Sequence, residues 1–367
     1  MIKERSVCFC DREKKETAEN REKIREIREK YRKIMGRQEG ESFMYTKIPI
    51  GGLDRKEWLR LRQSGIGGSD AGAVCGMNPY SSPMKVYQDK ICDMPEGEER
   101  ASGESAGNSG EEEQSEAIRQ GHDLEDYVAQ RFMEATGLKV RRSNYMYRSL
   151  AHPFMIADVD RLIVGEDAGL ECKTVSAYNE DKWKDGEIPF HYIMQCYHYM
   201  AVTGKRTWYI AAVILGRDFL YRKLEWDDAL ITRLIGAERH FWTEYVEKGV
   251  MPEPDGSEAC DAVLAQYFHT AEKASTIELT GFDEELDRRE EIVAQIAALE
   301  QEQKRIEQEV KLYMKEKERA ASGRYRVSWS NVESTRLDIK RIRQEQPEIY
   351  QDYAKVSSSR RFLVRAA

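Results

Sequence analysis

The chain of 367 residues is short of the features that mark several large protein classes. No stretch approaches the ~18–20 continuous apolar residues of a membrane span, and Met1–Arg12 lacks the apolar core of a signal peptide. A membrane-embedded or secreted protein is therefore not expected. Cysteine is sparse and irregular, with seven residues at Cys8, Cys10, Cys75, Cys92, Cys172, Cys196 and Cys260. An odd number without a C-x-x-C pair argues against a disulfide framework, structural zinc and a thioredoxin-like site, so a reducing cytoplasm is the expected compartment. The six histidines (His122, His152, His191, His198, His240 and His269) show no ligand spacing, and no P-loop is present. Zinc and ATP-driven motion are accordingly not expected.

What the chain has in quantity is charge: 34% of residues are charged against 40% hydrophobic, with a formal net charge of −8. That length can bury a large core with accessory segments, or two domains. An acidic total would weigh against a nucleic-acid partner, but the charge is unevenly spread. Residues 1–40 carry 13 basic and 9 acidic side chains, and residues 321–367 carry 10 and 5. Both ends are basic. Residues 95–116 hold eight glutamates and one arginine among Ser and Gly, a composition that cannot bury enough surface to order itself. We read it as a flexible acidic loop inserted in the core.

Periodicity predicts the organisation. Ile24, Ile27, Tyr31 and Ile34 fall at 3-4-3 spacing in a charged helical arm over 1–52. Residues 53–270 read as one α/β core. Helices are predicted at 117–136, stopped by Gly137, at 189–202, ended by Gly204, and at 227–246. Strands are predicted at 139–147, 154–164, 169–175, 207–215 and 219–224, around one central sheet flanked by helices. Within 271–322, Ile292, Ile296, Leu299, Gln303, Ile306, Val310 and Tyr313 recur at 4-3-4-3-4-3 spacing, a coiled-coil seam. Self-association and an intramolecular helical hairpin fit it equally. The basic tail 323–367 is expected to fold, because Tyr325, Val327, Trp329, Phe362 and Val364 call for burial.

The chemistry concentrates at Asp158-Val159-Asp160-Arg161-Leu162 and Gly169-Leu170-Glu171-Cys172-Lys173. On a strand Glu171 and Lys173 share one face while Cys172 points to the other. Asp160, on the preceding predicted strand, is close enough through a short turn to share a site with Glu171. Two carboxylates suit a hard divalent cation such as Mg²⁺, with the Cys172 carbonyl as a further oxygen. Taken alone, this spacing is frequent in so charged a chain, and a surface Glu–Lys pair explains it as well. Glu125 belongs to the buried stripe of Gly121, Val128, Ala129 and Phe132, where a carboxylate needs a metal, a basic neighbour or a proton. Gln195 and Tyr199 share a helix face, which ordinary packing also explains. The turn Gly65-Ile66-Gly67-Gly68-Ser69-Asp70 offers backbone N–H groups to an anion, or is a plain tight turn.

Glu171-Cys172-Lys173 after Asp160, with Gln195-Cys196-Tyr197-His198-Tyr199 downstream, resembles the PD-(D/E)xK nuclease superfamily. With Trp58–Arg62, Gly65–Ala71, Gly121–Glu125, Trp183 and Pro189 in order, the chain resembles the lambda-type phage recombination exonucleases, the YqaJ-like viral recombinases, over residues 53–268. Val159 stands where the superfamily name has proline, and Asp158 competes with Asp160 as the ligand. The resemblance implies a restriction-endonuclease-like core with a central mixed sheet. It implies a DNA exonuclease using two Mg²⁺ ions, replaceable by Mn²⁺, and trimming duplex ends 5′ to 3′. Asp160, Glu171, the Cys172 carbonyl and Glu125 would hold metal, Lys173 would orient or activate water, and Gln195 would support it, with Tyr199 behind. Arg62 and Ser69 would bind the DNA 5′-phosphate. A single-strand annealing partner, a homo-oligomeric ring and a phage or prophage origin are also implied. A non-catalytic recombination scaffold and a structure-specific endonuclease are the alternatives. The basic pairs Arg141-Arg142 and Arg360-Arg361, and Lys340-Arg341-Ile342-Arg343, are candidate DNA tracks.

Overall fold

The computed structural model describes residues 44–92, 116–355 and 359–365, so the predicted helix around Ile24–Ile34 and nearly all of the acidic loop lie outside them. Contacts divide the chain into two units, Met1–Tyr267 and Phe268–Ala367. The first runs β1 (Tyr45–Pro49), α1 (Arg55–Gln63), α2 (Gly68–Val74), α3 (Pro83–Ile91), α4 (Glu116–Thr136), β2 (Val140–Arg142), β3 (Tyr145–Ser149), β4 (Ile156–Asp158), β5 (Arg161–Ile163) and β6 (Ala168–Val175). It continues through α5 (Phe190–Thr203), β7 (Thr207–Ile214), β8 (Asp218–Glu225), α6 (Asp228–Phe241) and α7 (Glu258–Tyr267). Among the described residues no helix is long and apolar enough to cross a membrane.

The central sheet is mixed, in the order β2-β5-β6-β7-β8, with only β6 and β7 parallel. Side-chain alternation sorts its two faces. Trp208, Ile210, Ala212 and Ile214 of β7 join Cys196, Tyr199 and Met200 of α5 in one core. Leu170 and Cys172 of β6, with Ala211 and Val213, pack against Val128, Ala129 and Phe132 of α4 in another. A strand covered on both sides reads as a continuous apolar run, which is why Trp208–Ile214 is so uniformly hydrophobic. Each large side chain buried this way contributes roughly 1.5–3 kcal/mol. Gly204 ends α5 at φ 71°, in the left-handed region that costs glycine nothing.

Two strand expectations are corrected. The predicted strand 154–164 is two three-residue strands, β4 and β5, separated by Val159-Asp160 and belonging to different sheets. The predicted strand 139–147 likewise divides into β2 and the start of β3. The smaller sheet, β1-β3-β4, includes Tyr45–Pro49, which the sequence reading places in the N-terminal arm. Hydropathy is blind to such a break, since Phe154–Ala157 and Val159 on one side and Leu162–Ile163 on the other are all buried.

A buried ion pair braces α5 against α6. His198 Nδ1 lies 2.8 Å from Glu238 Oε1 and its Nε2 is 2.8 Å from the Ile156 carbonyl, both side chains being fully buried. Burial disfavours charge on His198, but Glu238 outweighs it and holds the imidazole pKa above its ordinary value; burial also raises Glu238. Both shifts are upward, so the folded state keeps protons that the unfolded chain releases. Stability from the pair is complete at low pH and is lost as pH rises through the folded values, for His198 from about 6.5 upward. The urea midpoint of the full chain is therefore expected to fall between pH 6 and pH 8.5. Glu238→Gln, whose amide can donate to a neutral Nδ1, should flatten that slope; an unchanged slope would exclude the pair as its source.

The second unit comprises α8 (Asp283–Met314), the hairpin β9 (Arg319–Ala321) and β10 (Arg326–Ser328), α9 (Ile339–Glu345) and α10 (Pro347–Tyr353). The heptad residues Ile292, Ile296, Leu299, Ile306, Val310 and Tyr313 of α8 are all exposed, and the helix is followed by a β-hairpin rather than an antiparallel helix. The burial expected of the tail is not found: Tyr325, Trp329 and Phe362 are 69%, 47% and 80% exposed. The physical reason is thinness, since a two-stranded hairpin and seven-residue helices form no second layer to bury against.

Candidate active site

The site begins in the ladder between β5 and β6. Arg161 pairs with Leu170 and Leu162 with Gly169, antiparallel. One step further along that register, Asp160 falls opposite Glu171. The Asp160 side chain takes the place of the next rung, its Oδ2 accepting from the Cys172 N–H at 2.8 Å. Glu171 and Lys173 alternate onto the α5 side of the sheet, whereas Cys172 packs toward α4. Lys173 Nζ lies 2.9 Å from Glu171 Oε1 and 4.5 Å from the Tyr192 ring centroid. From α5, Gln195 Nε2 donates to Glu171 Oε1 at 2.7 Å and to the Tyr199 hydroxyl at 2.8 Å.

These groups border a cavity of about 520 Å³, together with Glu125, Asp158, Arg55, Trp58, Arg62, Ser69 and Arg142 among others. The acid side of the cavity is strained electrostatically. Burial, then the charges of Glu171 and Glu125, push the Asp160 carboxyl well above the usual carboxylate range. Burial also raises Glu171, against the pull of Lys173. Two carboxylates this close cannot both ionise comfortably without a cation or a shared proton. Burial acts to strip the proton from Lys173, but Glu171, Tyr192 and Asp160 outweigh it and keep the ammonium charged. Glu171 Oε2 is buried without a hydrogen-bond partner.

Glu125 borders the cavity, but its carboxylate is engaged by Arg161, which also donates to Asp126 Oδ1 at 2.7 Å. The compensation required for an acid on the buried stripe of α4 is thus a basic neighbour. Sequence reading missed Arg161 as that neighbour, although its place beside Asp160 was visible. Among the described residues no three His, Cys, Asp or Glu side chains converge as a ready-made metal cage. Asp160 and Glu171 are the pair brought closest to that role.

The opposite wall is cationic. Arg62 donates to Ser69 Oγ at 2.6 Å and lies 3.7 Å from Asp70 Oδ1. Asp70 in turn accepts from Lys90 at 2.6 Å and from the Gly67 N–H at 2.9 Å. The glycine-rich turn is pinned to the sheet, with Ile66 N–H donating to Phe154 O at 2.7 Å and Ile66 O accepting from Ile156 N–H at 2.9 Å. At Gly68 a Cβ would stand 2.4 Å from the Tyr199 ring, so only glycine lets the turn approach α5 this closely. Lys90 and Trp58, whose indole N–H meets Asp158 at 2.9 Å, were not singled out as contributors to the site. Of the candidate DNA tracks, Arg142 pairs with Asp126, Arg341 with Glu345, and Arg360 with the Phe268 carbonyl.

Residues 57–206 match the model of the YqaJ-like viral recombinase domain. The chain is 37% identical over 316 residues, 85% of its length and 95% of the relative's, to the uncharacterized protein YqaJ of Bacillus subtilis (strain 168). Among solved structures, an alkaline exonuclease (LHK-Exo) from Laribacter hongkongensis aligns with a TM-score of 0.41 and 18% identity over 59% of this chain and all of that one. A phage-related exonuclease from Haemophilus somnus 129PT aligns with a TM-score of 0.35 and 12% identity over 52% of this chain and 99% of that one. With the motifs from Trp58 to Tyr199 gathered at one cavity, and a relative matched over nearly its whole length, the chain belongs to the YqaJ-like viral recombinase family.

Proposed function

We propose that the protein is a Mg²⁺-dependent DNA exonuclease that degrades duplex ends 5′ to 3′, leaving 3′ single strands for recombination. The observation that carries this reading is the cavity that Asp160, Glu171 and Lys173 border together, with Asp160 bonded to the β6 backbone at Cys172 and arginines on the facing wall. A cation suits the acid side on its chemistry: two carboxylates, one with an unpartnered buried oxygen, form an all-oxygen donor set of the kind Mg²⁺ prefers. Asp160, Glu171 and the Cys172 carbonyl would hold one or two ions, with Glu125 joining through water or on release from Arg161. A bound ion supplies positive charge where the phosphodiester gathers negative charge during hydrolysis.

The chain's own groups account for the rest. Lys173, held as an ammonium, orients the attacking water and steadies the phosphate oxygens. Gln195 fixes the Glu171 carboxylate so that it cannot turn away, and Tyr199 fixes Gln195. Arg62 and Ser69 receive the 5′-phosphate, a guanidinium being suited to fork onto phosphate oxygens. An annealing partner for the 3′ strands and a ring of several copies complete the reading.

Linear and covalently closed circular duplex DNA, incubated with the full chain, test it. Linear DNA should be consumed with Mg²⁺ or Mn²⁺, circles should survive, and EDTA should stop the reaction. Cleavage of closed circles would replace the exonuclease by an endonuclease using the same site. Binding without degradation of either would point to a scaffold.

A further inference from the structure

Asp158 stands two residues before Asp160 and borders the same cavity, yet its carboxylate is committed elsewhere. Its Oδ2 accepts from Trp58 Nε1 at 2.9 Å, across 100 positions of sequence. The Trp58 ring in turn lies 5.1 Å from the Arg62 guanidinium and 4.9 Å from that of Arg55. We propose that Asp158 is a positioning residue for recognition of the DNA 5′-phosphate, acting through Trp58 on Arg62. The proposal rests on the nuclease reading above and deepens it.

The argument starts from α1, a nine-residue helix with one fully buried side chain, Leu61. A helix so lightly anchored needs polar ties to fix the rotation of its cavity-facing residues. An indole N–H is a donor only, and Asp158 supplies its acceptor from β4. With the ring fixed, it forms a platform for Arg62, whose guanidinium is also held by Ser69 and Asp70. A guanidinium already restrained on these sides loses less freedom when it meets a phosphate. The same geometry separates the two aspartates: Asp160 bonds the β6 backbone beside Glu171, whereas Asp158 bonds the wall that carries Arg62.

The experiment measures affinity of the full chain for blunt duplex DNA with a 5′-phosphate or a 5′-hydroxyl, in EDTA, by fluorescence anisotropy. The parent should favour the phosphate. Asp158→Ala should erase about tenfold of that preference, as expected for a lost hydrogen bond that orders its neighbours. Asp158→Asn retains an acceptor for the indole and should keep the preference. Trp58→Phe, which keeps a ring but loses the N–H, should behave as Asp158→Ala does and serves if the alanine variant fails to fold. A preference kept in both Asp158→Ala and Trp58→Phe, or lost equally in Asp158→Asn, overturns the positioning role alone. A parent without preference overturns the 5′-phosphate assignment and this proposal together.

Discussion

Lys173→Ala is expected to lower the Mg²⁺-dependent rate of DNA degradation by about 10²–10³-fold, the cost typical of removing one preorganised charged donor from a transition state. The side chain is three-quarters buried, bound to Glu171 at 2.9 Å and laid against Tyr192, so its ammonium has little freedom to be replaced by a neighbour. Losing it also leaves Asp160 and Glu171 facing each other with less opposing charge, which should tighten cation binding while chemistry slows. Single-turnover degradation of linear duplex at saturating Mg²⁺ isolates the effect, and circular dichroism checks the fold. Glu171→Ala should fall at least as far, because it removes the hydrogen-bond acceptor of both Lys173 and Gln195. A rate within threefold of the parent in both variants would leave this cavity without its assigned chemistry.

Arg161→Ala is expected to cost about 1–3 kcal/mol of stability, the order found when a hydrogen-bonded charged donor is removed and its acceptors lose their partner. Its side chain is 4% exposed and binds Glu125 and Asp126 on α4 together with the carbonyl of Asp160. One guanidinium thus ties the helix on one face of the sheet to the break that carries Asp160. Removing it strips the counter-charge from Glu125, whose carboxylate already acts on Asp160 and Glu171. Thermal unfolding should show a Tm lower by several degrees, partly recovered in Arg161→Lys. If the melting curve is unmoved, Glu125 is satisfied by something other than this pair.

Much of the candidate site's geometry was legible because it follows strand parity. Glu171 and Lys173 on one face and Cys172 on the other is a consequence of alternation, and Gln195 with Tyr199 follows from helical spacing. What escaped was the long-range bonding. Nothing local to Trp58 says that its indole meets Asp158, nor does Lys90 advertise that it holds Asp70. The break at Val159-Asp160 was hidden because buried apolar residues flank it on both sides, so one predicted strand concealed two sheets. In the second unit the misleading signal was hydrophobicity itself, since Tyr325, Trp329 and Phe362 remain exposed where no layer exists to receive them.

The register that pairs Arg161 with Leu170, and so carries Asp160 toward Glu171, leaves little tolerance for change in this ladder. Residues 164–167 link β5 to β6 and lie outside both strands. A slip of β5 along β6 by a single position is another matter. It would bring Cys172 opposite Asp160 and split the two acids between opposite sides of the sheet. An insertion engineered between the two strands should therefore be absorbed in the connecting turn, leaving the parity of the ladder untouched.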